Sequence, residues 1–219
     1  MTVLREEVGT LIEKSGGVMT TDEVTMAVLT ARGSAADEPQ RSRWAAAVAC
    51  AAVDTEMARE GACYSLHRGA HRLFIVAMPG LSDAYTAAPA ARARYAEELG
   101  RRADEIAATD PLLTPSRAME ELQSVTRPTG DPPMLSERII RLATAASQAA
   151  ALSSRLELYP HGMDAGRALK LGIGSLLGPK DLTVEDIRQR IASRYLYAAP
   201  VPDPPALDDL LREAGVELV

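Results

Sequence analysis

Large aromatic side chains are scarce in this 219-residue sequence. There is one Phe and one Trp, and aromatic residues total 4% of the chain, whereas hydrophobic residues make up 47%. Alanine supplies much of that hydrophobic content, and it has the highest intrinsic helix propensity of all residues. The composition therefore predicts a mainly α protein in which helices pack closely through small side chains.

Residues that bind metals or perform catalysis are also few. The two cysteines, Cys50 and Cys63, do not form a CxxC pair, and no cluster of His or Asp lies near them in the sequence. Cys50 lies in the alanine-rich run AAAVACAAV and is expected to be a buried small hydrophobe. The three histidines have no nucleophile or carboxylate partner in a recognisable motif. We therefore expect no metal, no cofactor and no catalytic site, so the sequence does not predict an enzyme.

Long apolar runs are absent as well. No segment approaches the roughly 20 apolar residues that a helix needs to cross a bilayer. The N-terminal segment MTVLREEVGTLIEKSGG is charged and amphipathic, unlike a secretory signal. These features predict a cytoplasmic protein without membrane contact. The net charge of −6 argues against a surface that binds nucleic acid everywhere, because such binding requires cations on the phosphates, but it allows a local basic patch.

The first third of the chain has the element order of a winged helix, which is three helices followed by a β-hairpin. Apolar spacing and capping residues predict the helices, and a glycine-containing turn between two short apolar segments predicts the hairpin. Gly16 and Gly17 are expected to end the first helix. The predicted elements are a helix over 3–14, a helix that begins after Thr20 with Glu23 completing a capping box, a helix over 40–59, and strands over 64–67 and 72–77.

The pattern of this first unit recurs twice. Each copy has a threonine N-cap preceded by an apolar residue, with apolar residues four and eight positions later and a proline nineteen positions later. The threonines are Thr20, Thr114 and Thr183. Such repetition predicts tandem winged-helix or helix-turn-helix units over 1–80, 81–161 and 162–219.

The later units are expected to be less complete than the first. A helix over 82–109, broken at Pro89, leads into the second unit, and a helix over 135–152 runs directly into one extended segment, without a second wing strand. The third unit is expected to be truncated, because it stops at its first extended segment, VELV. The fold prediction is thus mainly α, with one short β-hairpin wing in the first unit.

The third copy resembles a known family. The runs LTVEDIRQRIASRY and PVPDPPALDDLLREAGVEL, with RLELYPHGM before them, resemble the C-terminal helical repeats of large actinobacterial serine/threonine kinases of the PglW type. Those kinases belong to phage growth limitation and related bacterial phage-defence (BREX) systems. The resemblance covers about residues 112–219 and, more weakly, the first unit. No GxGxxG loop, VAIK lysine, HRD or DFG motif occurs in the sequence, so the resemblance implies a non-catalytic region of a larger defence protein.

DNA is the partner that the basic residues of a winged helix would contact. The third helix of this fold enters the major groove, and the wing contacts the backbone or the minor groove. In the first unit the candidates are Gln40, Arg41 and Arg43 at the start of the third helix and His67, Arg68, His71 and Arg72 in the wing. In the second unit they are Arg138 and Arg141. The corresponding helix of the third unit is acidic and would repel phosphate.

Two functions are consistent with the sequence. The first is a non-catalytic, regulatory DNA-binding and recruitment module of a larger phage-defence protein. The second is a protein–protein interaction or dimerisation scaffold that does not bind nucleic acid, because winged helices also serve as docking modules. The expected partners are DNA, other domains of a larger parent protein and a second copy of the chain in a homodimer.

Overall fold

The structure is a computed structural model that describes residues 2–31, 39–175 and 182–215, and it is mainly α-helical. The helices are α1 (Thr2–Lys14), α2 (Thr21–Ala31), α3 (Pro39–Met57), α4 (Pro89–Ala107), α5 (Pro115–Gln123), α6 (Ser136–Ala146), α7 (Ala165–Gly172), α8 (Val184–Arg194) and α9 (Ala206–Glu213). The strands are β1 (Val18–Thr20), β2 (Tyr64–Arg68), β3 (Leu73–Ala77), β4 (Ala150–Leu152) and β5 (Leu158–Pro160). The expected extended segment at 216–219 lies outside the described residues.

The chain forms two compact units. Unit 1 consists of residues 1–103 and 119–148, and unit 2 consists of residues 104–118 and 149–219. The three units predicted from the sequence, over 1–80, 81–161 and 162–219, are defined by a repeated sequence pattern and not by compactness. They stay a prediction. Among the described residues, no helix is both long enough and apolar enough to cross a membrane.

The N-terminal part of unit 1 is organised by a three-stranded antiparallel sheet. The strand order is β1-β3-β2, so that β3 lies in the centre and pairs with both neighbours. The predicted hairpin is confirmed as β2 and β3, which pair from Tyr64 with Ala77 to Arg68 with Leu73. The core under the sheet contains apolar residues of α1, α2 and α3, among them Val8, Ile12 and Val24. Helix α1 ends where predicted, because Gly16 and Gly17 both adopt positive φ angles of 78° and 84°.

The three predicted threonine caps are confirmed. The Glu23 amide donates to Thr20 Oγ1 at 3.1 Å while the Thr20 amide donates to Glu23 Oε2 at 2.9 Å, which completes a capping box. Thr183 forms the same box with Asp186 at the start of α8. Thr114 accepts a longer bond of 3.4 Å from the amide of Arg117. The apolar residues four and eight positions after the threonines are all buried: Val24, Ala118, Ile187, Val28, Leu122 and Ile191.

Three predictions for the second copy were wrong. Helix α6 ends at Ala146 rather than at 152, because Ser147 takes an extended conformation (φ −70°, ψ 163°). The chain then forms β4, which pairs with β5, so a second strand is present after all. The segment before Pro89 is not helical either, since α4 begins at this proline, which is well suited to the first position of a helix.

Unit 2 packs α7, α8 and α9 around the β4–β5 hairpin. Its core includes Tyr159, Leu169, Ile191, Tyr195 and Leu207. Helix α7 ends at Gly172, and the chain continues as one 3-10 turn over Ile173–Ser175.

An ion pair ties α8 to the turn of the β4–β5 hairpin. The Arg194 guanidinium donates to Glu157 Oε1 at 2.7 Å, and the Tyr195 hydroxyl donates to Glu157 Oε2 at 3.2 Å. Burial and the Glu157 charge raise the pKa of Tyr195 to about 12. The turn of this hairpin is therefore held to the end of α8 by charged and polar groups.

Candidate interaction surface

The best candidate for a functional surface is formed by α3 and the turn of the β2–β3 hairpin, and we call it the α3–hairpin surface. The turn is closed by the Gly69 amide, which donates to the Arg72 carbonyl at 2.9 Å. The amide of Ala70, at the tip, donates to Glu97 Oε1 of α4 at 2.5 Å. The tip is therefore fixed to a helix of unit 1 and presents a defined surface to solvent.

Three of the predicted DNA contacts are exposed on this surface. Arg43 lies in the first half of α3, and Arg68 and His71 lie in the hairpin turn; all three side chains are exposed. Gln40 and Arg41 begin the same helix, but their side chains lie outside the described residues.

Two other predicted contacts in the hairpin form bonds within unit 1. Arg72 Nη1 lies 3.3 Å from Asp22 Oδ2, and its Nε and Nη2 donate to the Ser147 carbonyl at 3.3 and 3.0 Å. His67 is half-buried, its Nε2 lies 3.0 Å from Ser65 Oγ, and burial lowers its pKa below the usual value. His67 is therefore neutral at physiological pH, and most donors of Arg72 already have acceptors inside the protein.

The two predicted arginines of the second copy differ in their surroundings. Arg138 is 16% exposed, and its guanidinium donates to Glu23 and to the carbonyls of Ser15 and Val18, at 2.9 Å and 2.7 Å for the two carbonyls. Arg141 is 60% exposed and pairs with Glu137 at 2.8 Å, one turn earlier on α6. Arg138 thus holds α6 against β1, whereas Arg141 remains on the surface.

The exposed part of α3 is uncharged in its middle, a feature that the sequence reasoning missed. Ala47, Val48, Ala51 and Thr55 are exposed, and Val48 retains 38% of its accessible surface. Cys50 is exposed too, so the prediction that it is buried was wrong. A continuous alanine run gives no periodicity from which the buried side of a helix could be read. Within the described side chains of α3, Arg43 is the sole cation, and the charge that follows it on the exposed side is Asp54.

A buried carboxylate fixes the end of α3 to the start of the hairpin. Glu56 is 1% exposed, and its oxygens accept from Arg5 Nε at 2.9 Å, Arg59 Nη1 at 3.1 Å and the Cys63 amide at 2.6 Å. Burial alone would raise the pKa of Glu56, but the hydrogen bonds from Cys63 and Arg59 outweigh it and the pKa is lowered. Glu56 is therefore ionised and joins α1, α3 and β2.

Replacing Glu56 with Gln is expected to lower the free energy of unfolding by about 1–2 kcal/mol at neutral pH, because Arg5 loses its buried counter-charge. The pKa of Glu56 is lower in the folded than in the unfolded chain, so its contribution is complete above about pH 4.5 and is lost as the pH falls through the folded value. Urea titrations of both proteins from pH 7 to pH 3 should show the difference shrinking in acid; a constant difference would contradict the assignment.

Metal-binding geometry is not found among the residues that the structure describes. Within residues 2–31, 39–175 and 182–215, no three His, Cys, Asp or Glu side chains are grouped so that they could hold a metal ion. Burial and the neighbouring Glu56 raise the pKa of the half-buried Cys63 thiol, which makes this thiol a poor nucleophile. The described residues instead present exposed surfaces, on helices and on a hairpin, that a partner could contact.

Fold and surface together define a mainly α protein that carries small antiparallel sheets and an exposed helix–hairpin surface. The chain is similar to a protein of Streptomyces coelicolor named Probable kinase PglW. The identity is 30% over an alignment that is 255 positions long. The alignment covers 98% of this chain but 16% of that protein, so the chain corresponds to about one sixth of its length. No protein-family profile and no solved structure matches the chain. The similarity, which runs along 98% of the chain, therefore supports a PglW-related region.

Proposed function

We propose that this chain is a non-catalytic recruitment module, built of winged-helix-like repeats, within a larger bacterial phage-defence protein related to PglW. The similarity along 98% of the chain supports its place in a larger protein related to PglW. The absence of kinase motifs from its 219 residues supports a role outside catalysis. The element order α1-β1-α2-α3-β2-β3 with strand order β1-β3-β2 is that of a winged helix. The order α4-α5-α6-β4-β5 repeats it without a first strand.

Protein contact is the mode of recruitment that the geometry supports best. The single observation that carries it is the uncharged exposed side of α3 around Ala47, Val48 and Ala51. A helix that reads the major groove needs hydrogen-bond donors or acceptors for base edges, and these side chains have none. Small apolar side chains instead allow another protein surface to approach the helix closely. The net charge of −6 and the neighbouring Asp54 further disfavour a polyanion.

The Streptomyces coelicolor protein offers a direct test of this role. Aspartate introduced at the positions that align with Val48 and Ala51 is expected to abolish protection against phage, measured as plaquing efficiency, while autophosphorylation of the purified kinase is retained. Aspartate at the position that aligns with the exposed Thr10 of α1 is the matched control and should leave protection intact. Loss of autophosphorylation in the first variant, or full protection by it, would contradict a recruitment surface on α3.

DNA binding is the second candidate function, and the exposed Arg43, Arg68 and His71 favour it. They lie on the first half of α3 and on the hairpin turn, which are the parts of a winged helix that meet DNA.

Fluorescence anisotropy with a short labelled duplex at low and at physiological salt separates the two candidates. If DNA is the partner, binding falls steeply with salt, and the double variant Arg43→Ala/Arg68→Ala lowers the slope of log K against log salt by about 2, one for each lost phosphate contact. Arg212→Ala, which removes an exposed arginine from the acidic helix α9, is the control. The protein-contact function predicts no binding of the duplex even at low salt.

A further inference from the structure

A groove opens beside the α3–hairpin surface, between the beginning of α2, the second half of α3 and the hairpin. Its floor is formed by Leu66, Leu73 and Ile75 of the hairpin, and Val53 of α3 forms part of its wall. The cavity has a volume of about 100 Å³. A closed apolar cavity of roughly 150 Å³ accepts benzene. The groove is therefore of a size for one aliphatic side chain rather than for an aromatic ring.

The charged groups found on this groove are carboxylates. Among the side chains that the structure describes, Asp22 of α2 and Asp54 of α3 are the only ionisable lining residues apart from Cys50, and both are exposed. Asp22 is 74% exposed and lies 3.3 Å from Arg72 of the hairpin, and no lysine or arginine side chain within the described residues lines the groove itself. An apolar floor with acidic residues at its rim complements an apolar side chain that is flanked by cations.

We propose that this groove binds one aliphatic side chain of an amphipathic, lysine- or arginine-rich helix of a partner protein. The aliphatic side chain packs on Leu66, Leu73 and Ile75, and the flanking cations pair with Asp54 and Asp22. This inference rests on the proposed protein contact and specifies the chemistry of the partner. It also accounts for the exposure of Cys50 and for the uncharged side of α3 next to an acidic rim. A basic helix bound in the groove would cover Cys50 and this side of α3.

Cys50 lines the groove and reports its occupancy in the native chain. The probe is a synthetic amphipathic peptide of about 15 residues, long enough for helix formation, with leucine on one side and lysine beside it. At a peptide concentration of about ten times its dissociation constant, alkylation of Cys50 is expected to slow about tenfold. Peptide mass spectrometry follows Cys50 and Cys63 separately, and Cys63, which lies outside the groove, serves as the internal control. Matched peptides carry glutamate in place of lysine or serine in place of leucine, and neither should protect Cys50.

A charge reversal at the rim tests the ion pairs. Asp54→Lys is expected to weaken the lysine–leucine peptide about tenfold and to allow the glutamate–leucine peptide to bind. Glu60→Lys makes the same charge change on an exposed residue outside the groove and should alter neither. Absence of protection, equal protection by the glutamate peptide, or equal protection of Cys63 would overturn the proposal. Such a result leaves the proposed function standing, because that function is tested separately through Val48 and Ala51, which do not line the groove.

Discussion

Replacement of Asp131 with alanine is expected to lower the free energy of unfolding by about 3–5 kcal/mol, the range for removing one member of a buried ion pair. Asp131 accepts from Arg92 Nε and Nη2, both at 2.7 Å. The Arg92 side chain is 2% exposed and the Asp131 side chain is 7% exposed. Such a two-point, charge-assisted pairing is among the strongest polar interactions in proteins. Without Asp131, the buried guanidinium keeps its bond to the Ala77 carbonyl at 2.6 Å but loses its counter-charge.

Urea denaturation at neutral pH measures this effect. The matched control is Glu98→Ala, which breaks the pair of Glu98 with Arg101 on the exposed side of α4 and should cost less than about 1 kcal/mol. The double variant Arg92→Met/Asp131→Leu removes both charges and should regain much of the lost stability, because an apolar pair of similar volume avoids the desolvation cost. Equal effects of Asp131→Ala and Glu98→Ala would show that the buried pair does not stabilise unit 1.

The second large effect is expected from Gly100 in the middle of α4. A Cβ atom at this position would lie 2.5 Å from both the carbonyl carbon and the carbonyl oxygen of Ala146, at the end of α6. Since these are main-chain atoms, the two helices must move apart. Overpacking of this kind costs about 1–3 kcal/mol, sometimes more, and a backbone clash lies at the upper end. We expect Gly100→Ala to destabilise the protein by about 2–3 kcal/mol.

Gly9 of α1 provides the contrasting experiment, because it too lies within a helix. A Cβ there would make an ordinary contact of 3.4 Å with Leu81 Cδ1. Alanine in place of a helical glycine gains up to about 1 kcal/mol, so Gly9→Ala is expected to raise the melting temperature slightly. Thermal unfolding of the two variants should therefore shift in opposite directions. Shifts of the same sign would mean that the close approach of α4 and α6 is not what requires glycine at position 100.

The local elements of the fold could be predicted from the sequence where short-range chemistry decides them. The capping boxes at Thr20 and Thr183 depend on residues three positions away, and the hairpin of β2 and β3 on a turn between two apolar segments. The strand β4 could not be predicted, because alanine favours helix and the end of α6 depends on Ser147 and on pairing with β5. The winged-helix assignment of the repeats remains a proposal.

The candidate surface was predictable only in part. Exposure of Arg68 and His71 follows from their position in a hairpin turn. The internal roles of Arg72 and Arg138 could not be inferred, because their acidic partners, Asp22 and Glu23, lie 50 and 115 residues away in sequence. The sequence alone does not distinguish an arginine that binds a ligand from one that pairs with a distant carboxylate. The uncharged side of α3 was missed for a different reason, since a run of alanines contains no signal for which side is buried.

Glu23 serves two elements at once, and this has a consequence for how unit 1 folds. Its carboxylate caps α2 through Thr20 and also receives the guanidinium of Arg138 from α6. Loosening α6 is therefore expected to weaken the first turn of α2, and fraying of α2 is expected to remove one of the bonds that hold α6. Residues 1–103 and 119–148 form one compact unit, so a fragment that ends after the hairpin lacks part of what stabilises it.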